Sequence, residues 1–306
     1  MLGMACAELL PINKGEKAMK FTKMQGCGND YVYVNCTDGS PMASYVMEHA
    51  TELAIRVSNR NFGVGSDGLI LICPSEVADF RMRMYNADGS ESEMCGNGIR
   101  CVSKFVYDKK LTDQTEVSIE TGAGILHLSL HLGTDGLVDT VTVDMGIPIL
   151  IPAQVPVLCD DPDRTTPVIH EPILVDDVEY HMTCVSMGNP HAIVFVEDTA
   201  SLPLEEIGPK FENHPRFPRR TNTEFVQIIS RTEANMRVWE RGSGETLACG
   251  TGTCATVMAA ILNGLTEDTV LVHLLGGDLT IRYDRESDHV YMTGPARTVF
   301  EGELYL

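Results

Sequence analysis

The stretch Arg237-Val-Trp-Glu-Arg-Gly-Ser-Gly-Glu-Thr-Leu-Ala-Cys249-Gly-Thr-Gly-Thr-Cys-Ala255 has an earlier counterpart in the same chain. A shift of 154 residues (249 less 95) lays Arg83 on Arg237, Tyr85 on Trp239, Glu91 on Glu245 and Cys95 on Cys249, and carries Gly96 and Gly98 onto Gly250 and Gly252. Half of the 306 residues is 153, so the two copies stand one half-chain apart. A Cys-Gly-x-Gly turn that opens a helix is thus made twice, and a chain built this way is expected to fold as two similar halves. Each half brings one thiol to a shared site.

The length allows two domains of ordinary size, each with its own core. Hydrophobic residues at 43% and charged residues at 22% are those of a soluble globular protein. No apolar run approaches the roughly 20 residues that span a bilayer, so no membrane partner is expected. A net charge of -20 argues against nucleic acid, which needs a clustered positive surface. The ten cysteines are scattered, with no sign of secretion, so reduced thiols in a cytoplasm are expected. Cys95-x5-Cys101 and Cys249-x4-Cys254 lack a second close pair or a His-x3-5-His, so no metal is expected. Residues 1–18 lack the basic start and compact apolar core of a signal peptide and are read as an N-terminal extension.

From Phe21 a turn signal leads into an alternating strand. Residues 44–57, with Tyr45, Val46, His49, Leu53, Ile55 and Val57 among polar positions, predict one amphipathic helix. Leu69–Cys73 reads as a buried strand and Arg81–Tyr85 as another, leading into the first Cys-Gly turn. The helix behind it, about 98–109, buries Ile99, Val102, Phe105 and Val106. Strands are expected over 117–119, 125–132 and 138–144. The second half repeats this, with Gly-Asn189 before a strand as at Gly28-Asn29, a helix near 202–209, and strands at 223–229 and 236–239. Its helix, about 252–263, buries Cys254, Val257, Met258, Ile261 and Leu262 before a capping Gly264. The proline-dense tract 147–172 reads as the linker. The expected fold class is α+β, two pseudo-symmetric domains with mixed or antiparallel sheets. No Gly-x-Gly-x-x-Gly follows a strand, which speaks against a dinucleotide.

A thiol at the first turn of a helix meets the positive end of the macrodipole and free N–H groups, which favour the thiolate. Glycines at the first and third positions after the cysteine let the backbone pass close to a ligand, and the same N–H groups suit a carboxylate. Two such turns about a pseudo-twofold axis present thiols to opposite faces of one molecule. That suits inversion of a carbon centre, one thiolate removing a proton and the opposite thiol returning one. It asks for no cofactor if preorganised donors meet the charge developing on the substrate carboxylate. Cys6, Cys27, Cys36, Cys73, Cys101, Cys159, Cys184 and Cys254 fit the ordinary reading of a cysteine as a small buried hydrophobe. Cys95 and Cys249 differ because each precedes Gly-x-Gly at equivalent places of the repeat.

Asn86-Ala-Asp-Gly-Ser-Glu-Ser-Glu-Met-Cys-Gly-Asn-Gly98, Ser186-Met-Gly-Asn-Pro-His191 and Trp239-Glu-Arg-Gly-Ser-Gly-Glu-Thr-Leu-Ala-Cys-Gly-Thr-Gly252 together resemble the diaminopimelate epimerase family. The likeness runs from about Met19 to the C-terminus. It implies two domains, 19–146 and 147–294, each a curved sheet around a central helix, with the active site in the cleft between them. The last strand, 295–306, is implied to return to the first domain. The implied reaction interconverts LL- and meso-2,6-diaminopimelate without pyridoxal phosphate, in lysine and peptidoglycan precursor synthesis. Cys95 and Cys249 would be the acid/base pair, with His191 and Glu240 tuning their proton affinity. Gly96, Asn97, Gly250 and Thr251 would hold the reacting carboxylate. Asn29, Asn86, Asn189, Asn222, Glu240 and Arg241 would complete the substrate site, amides suiting a zwitterion and Arg241 a carboxylate. Some members carry Gln where Gly68 stands, so that contact is absent. The partner is the small-molecule substrate, and a homodimer is left open.

The proline racemase group shares the fold and paired thiols, but typically has His after Cys-Gly where this chain has Asn97, and lacks Trp-Glu-Arg-Gly. A noncatalytic amino-acid-binding protein has no need to keep both cysteines. A redox enzyme would want Cys-x-x-Cys.

Overall fold

The computed structural model describes residues 18–306, so the expected extension lies, but for Ala18, outside the described residues. The first half runs β1 (Ala18–Gly26), β2 (Asn29–Asn35), α1 (Pro41–Glu48), α2 (Ala50–Ser58), β3 (Gly68–Cys73), β4 (Phe80–Asn86), β5 (Glu91–Ser92), α3 (Gly96–Asp108), β6 (Glu116–Thr121), β7 (Gly124–Leu132) and β8 (Val138–Asp144). The second runs β9 (Glu171–Val175), β10 (Val178–Ser186), β11 (Pro190–Phe195), α4 (Leu204–Glu212), β12 (Asn222–Ser230), β13 (Glu233–Glu240), β14 (Gly244–Thr246), α5 (Gly250–Leu262), β15 (Thr269–Leu274), β16 (Gly277–Tyr283), β17 (Val290–Pro295) and β18 (Arg297–Tyr305).

The halves repeat in strand pairing as well as in sequence. Parallel β2–β3 is matched by parallel β11–β12, and parallel β4–β6 by parallel β13–β15. The remaining contacts within each half are antiparallel hairpins, giving mixed sheets wrapped around α3 and α5. Among the described residues, two strand pairings join the halves: β17 runs antiparallel to β8, and β18 returns to β1. One apolar cluster is continuous between the halves, taking Ile99 and Val102 from α3 and Cys254 and Val257 from α5. Each such aliphatic side chain, fully buried, contributes about 1.5–3 kcal/mol by leaving water. The two central helices are therefore fixed against each other.

Several expectations change in the structure. The residues from Phe21 are already inside β1, and the turn falls at Cys27-Gly28, both with left-handed φ (51° and 81°). β2 does not alternate in exposure. Tyr31 and Tyr33 enter the central cluster while Val32 and Val34 enter a second one, under α1 and α2, so both faces are covered. The expected helix over 44–57 is two helices broken at His49 (φ −108°, ψ 22°), whose ring stacks on Tyr45 at 4.2 Å. Periodicity hides the break because Val46, Leu53 and Val57 still reach one cluster, although Ile55 faces solvent. In α5, Ile261 and Leu262 are only half-buried, whereas every residue from Gly252 to Ala260 is buried. The proline-dense tract packs rather than floats: Val155, Val157 and Val168 lie in a third cluster with Phe211 of α4.

Candidate active site

Each central helix begins at its cysteine. Cys95 (φ −140°, ψ 117°) caps α3 and its Sγ accepts the Gly98 N–H at 3.4 Å. Cys249 (φ −124°, ψ 110°) caps α5 and accepts the Gly252 N–H, also at 3.4 Å. Extended backbone with a side chain accepting from the third helical residue is the geometry of an N-cap, filled here by sulfur. The hairpins that deliver the cysteines are clamped alike. Arg83 donates to Glu91 from Nε at 2.8 Å and Nη2 at 3.0 Å, and Arg237 to Glu245 at 2.7 and 3.0 Å. Paired forks of this kind fix orientation as well as distance.

The two helix starts meet at their glycines. A Cβ built on Gly96 would stand 3.9 Å from Gly250 Cα, and one on Gly250 would stand 3.8 Å from Gly96 Cα. Met292 of β17 packs beside both. Around Cys95, half-buried, the thiol donates to Asn29 Oδ1 at 3.3 Å, and Asn29 Nδ2 donates in turn to Asp67 at 2.7 Å. Asn97 is buried, donating to the Ala248 carbonyl at 3.5 Å and accepting from Arg100 at 3.0 Å. Around Cys249, the Thr251 hydroxyl is 3.5 Å from Sγ and accepts from Asn189 Nδ2 at 3.2 Å. Asn189 Oδ1 lies 3.0 Å from His191 Nε2, and Glu240 accepts from Thr246.

Burial pushes both thiols above the ordinary range, and Cys249 furthest because Glu240 and Glu224 add negative charge beside it. The N–H groups of Gly98 and Asn97 and the Tyr31 hydroxyl pull Cys95 back in part. A helix start by itself would lower both thiols; loss of water outweighs the dipole here. Glu240 is likewise raised, by burial first, against the hydrogen bonds from Thr246 and Cys249.

Asn29, Gly96 and Asn97 thus gather at Cys95, and Asn189, His191, Glu240, Gly250 and Thr251 at Cys249. Asn222 is buried opposite His191, using its Oδ1 for the Arg241 N–H at 2.9 Å and its Nδ2 for the Pro190 carbonyl at 3.1 Å. Asn86 and Arg241 are turned to other partners, Asn86 donating to Ser90 at 3.0 Å and exposed Arg241 to the Arg219 carbonyl at 3.1 Å. Gly68 has a backbone reason: a Cβ there would stand 2.1 Å from the Tyr85 carbonyl and 2.9 Å from the Tyr31 ring. Tyr31, Asp67, Arg100 and Glu224 also belong to the site, outside the residues expected from the motifs. Glu224 had a signal, a lone carboxylate inside the strand run Thr-Glu-Phe-Val.

The architecture is that of a two-halved α+β family of solved structures. A hydroxyproline epimerase from Agrobacterium vitis superposes with a TM-score of 0.65 at 15% identity, over 94% of this chain and 91% of that one. A phenazine biosynthesis protein of the PhzF family from Bacillus anthracis gives 0.65 at 18%, over 95% and 100%. These likenesses define the fold class. At the level of sequence, the family model described as diaminopimelate epimerase matches residues 21–151 and 183–299. Diaminopimelate epimerase of Agathobacter rectalis is 63% identical over 289 residues, 94% of this chain and 99% of that protein. That of Methanococcus maripaludis is 56% identical over 286 residues, with the same coverage. The chain belongs to the diaminopimelate epimerase family.

Proposed function

We propose that this chain is an isomerase that interconverts LL- and meso-2,6-diaminopimelate by moving one proton off and another onto the same α-carbon. One cysteine, as thiolate, takes the α-proton, and its electron pair passes into the substrate carboxylate as enolate-like charge. The opposite cysteine, as thiol, returns a proton to the other face, and the two exchange roles in reverse. The N–H groups at Gly96-Asn97 and Gly250-Thr251 receive the reacting carboxylate, where helix ends favour negative charge. Asn29, Asn189 and Asn222 recognise the zwitterion, with Asn86 and Arg241 contributing at the rim. His191 and Glu240 set the proton affinity of Cys249. Such a reaction belongs in the cytoplasm, where lysine and peptidoglycan precursors are made.

The observation that carries this reading is the meeting of two cysteine-capped helix starts at Gly96 and Gly250. The test is an assay on pure LL-diaminopimelate, beside L-proline and L-glutamate, with no cofactor supplied and deuterium oxide as solvent. The expected result is deuterium at the α-carbon of diaminopimelate alone, with nearly all activity lost in Cys95→Ala and in Cys249→Ala. Substantial turnover by either variant, or a strict pyridoxal requirement, would refute it.

A further inference from the structure

The repeat offers an internal comparison at the strand behind each thiol. Tyr31 pairs with Gly68 and His191 with Asn222 in matching parallel register, so Tyr33 stands opposite Ile70 and Ile193 opposite Glu224. The shift of 154 residues therefore lays Ile70 on Glu224. Both press on the glycine whose N–H donates to their cysteine: a Cβ on Gly98 would stand 2.8 Å from Ile70 Cδ1, and one on Gly252 would stand 2.3 Å from Glu224 Oε1. Cys249 Sγ lies 3.2 Å from that same point, so carboxylate and thiol flank one α-carbon. Packing alone is satisfied by isoleucine at this place, as the first half demonstrates.

Glu224 is fully buried, as is His191, and its Oε1 lies 2.7 Å from His191 Nδ1. Its Oε2 is buried with no hydrogen-bond partner among the described residues. A sealed carboxyl that forgoes half its hydrogen bonding is costly to the fold and calls for a role. The titratable groups facing it are His191 from β11, Glu240 from β13 and Cys249 at the start of α5.

We propose that Glu224 is a positioning residue of the second half-site: it fixes a proton on His191 Nδ1 and holds negative charge behind Cys249. The two thiols thereby differ in proton affinity although their helix starts are alike. An ionised carboxylate only accepts, so the nitrogen facing it must carry the hydrogen, which turns the opposite nitrogen toward Asn189. The like charge resists formation of the Cys249 thiolate, leaving Cys95, backed by Ile70, as the readier base. This inference rests on the epimerase reading, but its test needs no turnover.

The full chain and Glu224→Gln are treated with iodoacetamide across pH 6–11, and labelling at each cysteine is read by mass spectrometry. The pH midpoint at Cys249 should fall by about one unit in the variant while that at Cys95 stays put. An unmoved Cys249, or two midpoints moving together, would overturn the role. Nitrogen NMR of the unmutated chain, which is indifferent to how the variant folds, should find His191 Nδ1 protonated; a bare Nδ1 would overturn it too. An inactive parent chain with the Cys249 shift intact would count against the reaction and leave Glu224 standing. An active parent with no shift would do the reverse.

Discussion

Gly96 and Gly250 face each other across the join between the halves, each with its Cα under 4 Å from where the other's side chain would begin. A methyl on either would stand at ordinary van der Waals distance from the opposite Cα and occupy the space between the two helix starts. A methyl on Gly250 would also stand 3.1 Å from Met292 Sδ. Gly250→Ala is therefore expected to lower kcat at least tenfold, with a stability loss of about 1 kcal/mol because Met292 can shift. Steady-state kinetics beside urea unfolding check this; an unchanged kcat would show that the spacing is not critical.

Gly252→Ala is expected to be harsher than its counterpart at Gly98. Its methyl would stand 2.3 Å from Glu224 Oε1, inside a sealed strand, whereas at Gly98 the obstacle is the movable tip of Ile70 at 2.8 Å. Overpacking of this kind costs about 1–3 kcal/mol, and the larger value is expected at Gly252. Thermal unfolding of both variants decides it; equal losses would mean that Glu224 gives way as easily as isoleucine.

The repeat was legible because it is written in cysteine and glycine, residues the helix starts cannot replace. Strand β3 was legible because all its positions are apolar and buried. The break at His49 was not, since the apolar spacing runs through it, and neither was β10, whose exposed first half (Val178, Glu179) masks its buried second. Asn29 and Asn189 were reached through the repeated Gly-Asn and the family likeness. Glu224 showed only as a lone carboxylate in a strand run; that it faces inward follows from the start of α5, where Gly252 packs against its Oε1.

Arg100 ties the first helix start to the second half. Its fully buried guanidinium donates to the Gly96 carbonyl at 3.1 Å, Asn97 Oδ1 at 3.0 Å and the Pro295 carbonyl at 3.2 Å. Arg100→Met keeps the stem but leaves one buried oxygen, on Asn97, and two partly buried carbonyls without this donor, each worth about 1 kcal/mol. A loss of about 3 kcal/mol is expected in chemical denaturation, with kcat falling because Gly96 and Asn97 drift. A loss below 1 kcal/mol would mean that water replaces the guanidinium.

Activity should climb as the solution turns alkaline. The working enzyme holds one thiolate and one thiol, and both cysteines are raised, by burial first, above their ordinary value near 8.5. At neutral pH both sulfurs then carry protons and no base stands ready, so kcat/KM is expected to rise roughly tenfold per pH unit between about 7 and 8.5. The sign for stability is the opposite. A group whose folded pKa exceeds its unfolded one contributes stability below the unfolded value, and that contribution fades as pH rises through the folded value. Raising pH past about 9 should therefore trade stability for rate, and Cys249→Ser should flatten the stability profile there. A kcat/KM that is level from pH 6 to 9 would show that the first thiol of the free enzyme is already ionised, against the rise that burial imposes.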